Sequence, residues 1–148
     1  MCRPTVWTED GLYVDELLRL PNTDESAAFW FKTTAKNARL CEGKRYTSYN
    51  NRWSDHVVSL DGGKVRFQLQ ADKPLETTAT FNHGQWHHVV TTVGPGGQRP
   101  HMDGQPIATG TLTRRTRTRN RLGLGKAVVT VRVLGRALGA TDVANSSR

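Results

Sequence analysis

The sequence predicts an all-β domain made of two antiparallel sheets, and three observations predict it. Residues 86–93 join Trp86 to a run of β-branched residues, which suits a strand with a buried face, and the glycines and proline of 94–97 then indicate a turn. Asp103-Gly104 lies between extended runs and is a hairpin signal, because glycine accepts positive φ. Residues 64–70 alternate apolar and polar side chains. Strands at this spacing with glycine turns indicate a sandwich, and we expect Trp86 at the centre of its core.

The other elements are assigned in chain order. Residues 12–20 hold aliphatic side chains that do not alternate cleanly, so a helix capped by Asp10 and a pair of strands both fit them. Asp61-Gly62-Gly63 closes a second hairpin, and we expect Leu40 to face the core. The remaining patterns predict strands at 27–34, 37–46, 56–60, 64–70, 77–81, 121–124 and 128–133, and a helical turn at 140–146.

Four stretches carry a resemblance to a known family. Residues 84–89, G-Q-W-H-H-V, and 102–105, M-D-G-Q, are similar to a "G-x-W-H-H-V" strand followed by a "Y-V-D-G" hairpin. Residues 29–34, F-W-F-K-T-T, are similar to "W-V-K-T", and 131–140 to "V-R-V-Y-N-R-A-L-S". In these residues and their order the chain resembles the laminin G-like, concanavalin A-like lectin/glucanase superfamily. The resemblance implies one jelly-roll β-sandwich domain over 1–148, with a core of about 12–143, and strands rather than a helix within 12–20.

Length and charge limit the possible functions. A chain of 148 residues is expected to be one domain, and no run of about 18 apolar residues suggests membrane insertion. No signal peptide is expected at the start, whereas the resemblance implies a larger secreted or cell-envelope parent. The net charge of +8 favours an acidic partner. Cys2 and Cys41 leave one disulfide and two free thiols open as alternatives.

The metal-binding patterns have simpler explanations. His87 and His88 are adjacent, so on a strand they face opposite sides, and we expect one buried and hydrogen-bonded and the other in solvent. Calcium is common at the rim of sandwiches of the family that the chain resembles, and Asp55, Asp61 and Asp103 are near turns. Hairpin geometry explains the last two, and Val129-Thr130 replaces an acidic pair of the family. We therefore expect no cofactor, with calcium as the alternative.

Catalytic patterns are missing from the sequence. Concanavalin A-like glucanases usually carry an "E-x-D-x-E" run, which this chain does not contain. Its acidic pairs are adjacent residues, which a strand would turn to opposite faces. No nucleophile elbow occurs either. We predict that the protein is not an enzyme.

Two segments are the predicted binding sites. A loop at 46–53 combines aromatic, amide and guanidinium groups, which suit sugar rings and hydroxyls, although part of it could pack in the core; its candidates are Tyr46, Tyr49, Asn50, Asn51, Arg52 and Trp53. An alternating Thr/Arg run would line one face of a strand with guanidinium groups suited to acidic polysaccharides. These are Arg114, Arg115, Arg117, Arg119 and Arg121. The alternative for this run is a solvated edge strand that blocks aggregation.

The functional prediction is a non-catalytic recognition module that binds a glycan or a protein surface. The alternatives are polyanion binding through the arginine run and a structural spacer without a ligand. Nucleic acid is not favoured, because the usual combination of stacking aromatics and basic residues is missing.

Overall fold

The computed structural model describes residues 6–8, 11–15, 25–45, 53–69, 73–111, 121–134 and 137–145. The strands within these ranges are β1 (Val6–Thr8), β2 (Gly11–Asp15), β3 (Glu25–Phe31), β4 (Ala38–Arg45), β5 (Trp53–Asp61), β6 (Lys64–Leu69), β7 (Leu75–Thr80), β8 (His87–Gly94), β9 (Gly97–Met102), β10 (Gln105–Pro106), β11 (Arg121–Leu124) and β12 (Val128–Leu134), and α1 (Ala140–Asn145) is a helix. The strands predicted from residue 27 onward are confirmed to within a few residues. Gly11–Asp15 is a strand, as the resemblance implied.

The strands form two antiparallel sheets. One sheet has seven strands in the order β1-β2-β11-β4-β5-β6-β7, and the other has five in the order β10-β9-β8-β3-β12. Neighbours in space are often distant in sequence, as where β8 and β12 flank β3. The predicted all-β antiparallel sandwich is confirmed.

The turns of two tight hairpins contain residues with positive φ. Asp103 and Gly104 have φ values of 50° and 80°, and Gly62 and Gly63 have 60° and 85°. Two consecutive positive values are the signature of a type I′ turn, whose twist matches that of the flanking strands. Both hairpin predictions are therefore confirmed.

Alternate side chains of both sheets meet in one apolar core. Strand β3 contributes Phe29 and Phe31, while β6 contributes Val65 and Phe67, and all four are fully buried. The other buried members of the cluster are Leu40, Cys41, Val58, Leu60, Val89 and Met102. The core is therefore made of paired strand faces, as the alternation of residues 64–70 predicted.

Trp86 does not lie in this core, so the prediction that placed it there is wrong. Its side chain is 49% exposed, and β8 begins one residue later, at His87. Residues on one strand face are separated by even numbers, and Trp86 is three residues from Val89, which does face the core. The aromatic centre of the sandwich is provided by phenylalanines instead.

A short C-terminal segment covers the outer face of the five-stranded sheet. Leu138 and Val143 pack against Ala28 of β3 and Val90 of β8 in a second buried cluster. The Leu138 amide donates a hydrogen bond to Ser26 Oγ at 2.9 Å. None of the helices in the described ranges has the length and hydropathy needed to cross a membrane.

We predict that Phe67→Ala lowers the free energy of unfolding by about 3–5 kcal/mol, since it leaves a cavity between the sheets. Trp86→Ala should cost about 1 kcal/mol or less, because this side chain is half exposed. Urea titrations followed by circular dichroism would measure both. Equal losses for the two variants would contradict this description of the core.

Candidate functional site

A β-bulge in β4 determines where its polar side chains lie. The backbone pairs with β5 are Ala38↔Leu60, Arg39↔Ser59, Cys41↔Val58 and Glu42↔Val57. Leu40 is therefore the extra residue, and the alternation of side chains shifts by one position there. As a result Leu40 and Cys41 both join the core. Arg39 and Glu42, which a regular strand would turn to opposite faces, share the outer face of the seven-stranded sheet.

This shared face allows an ion pair to form. Arg39 Nη1 donates to Glu42 Oε2 at 2.7 Å. The Glu42 side chain is 3% exposed, whereas that of Arg39 is 59% exposed. A buried carboxylate needs such a charged partner to offset its desolvation. The ion pair thus combines a buried, fixed Glu42 carboxylate with an Arg39 guanidinium that is exposed to solvent.

Two glycines of the neighbouring strand and turn close around the bulge. Gly125, which follows β11, donates its amide to the Leu40 carbonyl at 2.8 Å. A Cβ atom on Gly125 would collide with the carbonyl oxygen of Arg39. Gly123 is paired with Glu42 and adds no side chain beside the carboxylate. Glycine is thus required where the β11–β12 turn meets the bulge.

A cleft of about 540 Å³ opens beside the ion pair. The described residues that line it come from β4, β11, the β3–β4 loop and the β11–β12 turn; they are Thr33, Ala35, Ala38, Arg39, Glu42, Gly123, Leu124, Gly125, Lys126 and Ala127. Most are small, and three carry charge. This volume is in the range of small-ligand sites, and the lining can both donate and accept hydrogen bonds.

The two segments predicted as binding sites lie almost wholly outside the described residues. Within the described ranges, Trp53 is the first residue of β5 and is paired with Arg45. Arg121 is the first residue of β11 and is paired with Asp15 and Lys44. Strand β11 lies between β2 and β4, so the edge-strand alternative is wrong at Arg121.

These pairings bring the flanks of both predicted segments together. Arg45 and Trp53 flank residues 46–52, Arg121 follows residues 112–120, and Arg121 is paired with Lys44. Arg39 lies at the other end of β4, so the cleft is at the opposite end of the sheet.

Sequence reasoning missed the cleft. Gly123 and Gly125, two glycines around a strand end, were the available signal of a close backbone approach.

The two histidines take opposite faces, as expected. His87 contacts Phe31 and Phe81, with ring centroids at 5.7 and 5.0 Å, whereas His88 contacts Trp30 at 4.9 Å. The expectation that one of them faces solvent is wrong, because the side chain of His87 is 13% exposed and His88 is 3% exposed. Both are packed against aromatic rings.

Asp103 fixes the start of β8. Its carboxylate lies 2.9 Å from His87 Nδ1 and accepts the His88 amide at 2.8 Å. The Asp103 amide in turn donates to the His88 carbonyl at 2.8 Å. Asp61, also considered for calcium, lies 3.3 Å from Arg66 Nη1. No three His, Cys, Asp or Glu side chains within the described part of the chain come together as metal ligands would.

A laminin G family model, described as the concanavalin A-like lectin/glucanases superfamily, matches residues 8–144. The chain belongs to the concanavalin A-like lectin/glucanases superfamily. No curated protein matches the sequence closely enough to count as a relative.

Solved structures share the concanavalin A-like fold at low sequence identity. A Trypanosoma rangeli sialidase in complex with 2,3-difluorosialic acid has a TM-score of 0.70 and 16% identity over 91% of this chain and 25% of its own. A heptameric SAP-like pentraxin from Limulus polyphemus has a TM-score of 0.70 and 13% sequence identity, and the match covers 99% of this chain and 80% of the pentraxin chain. Botulinum neurotoxin type C, in a structure concerned with its interaction with two ganglioside molecules, has a TM-score of 0.66 and 13% sequence identity. That match covers 93% of this chain and 40% of the neurotoxin chain. This chain spans about a quarter of the length of the sialidase.

We predict that Gly125→Ala destabilises the fold by about 2 kcal/mol or more, since the new methyl group must displace the bulge or break the bond to Leu40. Gly139→Ala is the matched control, because a Cβ there meets open space. Urea denaturation would compare them. Equal stability of both variants would show that the turn does not lie against the bulge.

Stability should also fall on acidification. Burial lowers the pKa of His88, with Asp103 opposing this effect and Arg132 adding to it. Burial also lowers the pKa of His101. At these two histidines the unfolded chain therefore binds more protons than the folded one below about pH 6.5, so the stability that they contribute is fully present above that pH and is lost as pH falls.

For each histidine the loss is at most ~1.4 kcal/mol per pH unit. His88→Gln should make the loss between pH 7.5 and 5.5 smaller in urea titrations. An unchanged pH dependence in His88→Gln would exclude His88 as a cause.

Proposed function

We propose that the protein is a non-catalytic recognition module and that it binds a glycan in the cleft beside the Arg39–Glu42 pair. The cleft itself is the observation that carries the proposal, since it joins a ligand-sized volume to charged hydrogen-bonding groups. The parent would be a larger secreted or cell-envelope protein, as is usual for laminin G-like domains.

The chemistry of the lining suits sugar hydroxyls. The Glu42 carboxylate accepts hydrogen bonds, and the exposed Arg39 guanidinium and Lys126 ammonium donate them. Small residues such as Gly125 and Ala127 let a ring approach the backbone closely. The described lining holds two cations and one carboxylate, so an acidic glycan should bind more tightly than a neutral one.

The same lining supports binding without hydrolysis. Glycoside hydrolysis generally needs two carboxyl groups about 5–9 Å apart, one acting as acid and the other as base or nucleophile. Of the described residues that line the cleft, Glu42 is the sole carboxylate, and it is engaged by Arg39. A sugar held here would meet two exposed cationic donors and a carboxylate that is almost wholly buried and paired with one of them.

The structural neighbours support glycan as the ligand class. The sialidase is bound to 2,3-difluorosialic acid, and the neurotoxin structure concerns ganglioside molecules. At identities of 13–16%, the similarity to these proteins is a similarity of fold alone. Their ligands therefore support glycan as a ligand class and no particular sugar.

A second candidate function is polyanion binding through the arginine run. It is favoured by the net charge of +8 and by the backbone pairing of Arg121 with Lys44, which places two basic residues side by side in the sheet. Binding of this kind would depend steeply on salt, because it releases counterions.

We predict that the protein binds acidic glycans more strongly than neutral ones. The measurement is an array of immobilised neutral glycans, acidic glycans and heparin, probed in buffer with and without EDTA. Arg39→Ala should weaken binding about tenfold or more, the loss of a charge-assisted contact. Glu42→Gln keeps the shape of the side chain and tests the acceptor. Arg66→Ala is the control, since it removes a partly exposed arginine of the same sheet that is not among the described lining residues.

The outcomes separate the candidates. Binding that is lost when Arg114, Arg115, Arg117 and Arg119 are changed to serine, but kept in Arg39→Ala, would support the polyanion function instead. Release of sugar from fluorogenic glycosides would contradict the non-catalytic assignment. Binding that EDTA abolishes would reveal a calcium requirement.

A further inference from the structure

Trp86 is the large hydrophobic side chain that the described part of the chain leaves exposed. It follows Gly84, whose positive φ of 73° turns the backbone just before β8. An indole that is half in water gains little from folding and is free to contact a ligand. Its position therefore calls for a role other than packing.

Two backbone hydrogen bonds place the start of the β3–β4 loop between the segment that precedes β8 and the β11–β12 turn. The Gly84 amide donates to the Thr33 carbonyl at 3.0 Å, and Thr33 lines the cleft. The Lys32 amide donates to the carbonyl of Ala127, another lining residue, at 3.3 Å. Residues 32 and 33 are thus bonded on one side to the turn that lines the cleft and on the other to the segment that leads into Trp86.

A cation accompanies the exposed ring. Lys32 Nζ lies 5.9 Å from the centroid of the Trp86 ring, within the range of a cation–π contact. Lys32 is itself exposed, so its ammonium can turn toward a ligand. An indole face beside a hydrogen-bond donor matches the two sides of a sugar ring, its C–H face and its hydroxyl or carboxylate edge.

We propose that Trp86 and Lys32 form a second subsite across the start of the β3–β4 loop from the cleft, which binds the next sugars of a glycan whose first residues occupy the cleft. This inference rests on the proposed function and specifies its ligand as an oligosaccharide. The indole stacks on a ring that has crossed the β3–β4 loop, and the Lys32 ammonium donates to a hydroxyl or carboxylate of that ring.

Affinity should therefore rise with the length of the sugar. The probes are size-defined hyaluronan and chitin oligosaccharides, from one residue to six, measured by isothermal titration calorimetry. In the wild type, longer members should bind at least about fivefold more tightly than the shortest that binds. Trp86→Ala should abolish this gain and leave the affinity of the shortest binding member unchanged. Trp86→Phe keeps an aromatic face and should retain most of the gain.

Other variants separate the two subsites. Arg39→Ala should weaken all lengths, whereas Lys32→Ala should weaken long members only. Addition of a long member should shift the tryptophan fluorescence of the wild type, and Trp86→Phe should remove most of that shift.

Several results would overturn the second subsite. If affinity did not depend on sugar length but Arg39→Ala still weakened binding, the second subsite would be excluded and the proposal of glycan binding in the cleft would remain. Equal weakening of short and long members by Trp86→Ala would place the indole in the first subsite. If Trp86→Ala instead abolished self-association in sedimentation, the indole would be a protein contact. If neither series bound, the proposed function would fail and this inference with it.

Discussion

The extra residue in β4 is the constraint on which the polar surface of this sandwich depends. At Leu40, β4 has one residue without a partner on β5, and this shifts the alternation of side chains, so Leu40 and Cys41 both face the core while Arg39 and Glu42 face outward together. The bond from Gly125 to the Leu40 carbonyl satisfies a backbone acceptor at the bulge. Core packing and the geometry of the cleft are therefore set by the same local irregularity.

The fold places two different chemistries at one end of the sandwich. The ion pair and Lys126 line the cleft, and Trp86 lies beside Lys32, the first residue of the β3–β4 loop. Neither group stabilises the core, which is built from phenylalanine and aliphatic residues. Side chains that add little to folding are where binding functions are expected, because loops on a rigid sheet can change without loss of the fold.

Much of the fold could be predicted because its signals are local. Asp103-Gly104 specifies a turn through the φ values of two residues, and the alternation of Val65 and Phe67 specifies a buried face through period two. The size and apolar character of Trp86 favour the core, but its odd separation from Val89 turns it to the other side of the strand. Gly123 and Gly125 indicate a close backbone approach, but their partner in that approach is the bulge at Leu40, which is far away in sequence. Local patterns do not contain such contacts.

The most direct test is to map where a glycan contacts the protein. The measurement is a titration of the ¹⁵N-labelled chain with hyaluronan and chitin tetrasaccharides, followed by backbone amide chemical shifts. Our account predicts that the largest changes occur at Arg39, Glu42 and residues 123–127, with a second set at Lys32 and Trp86. Changes confined to residues 46–53 or 114–121 would contradict it.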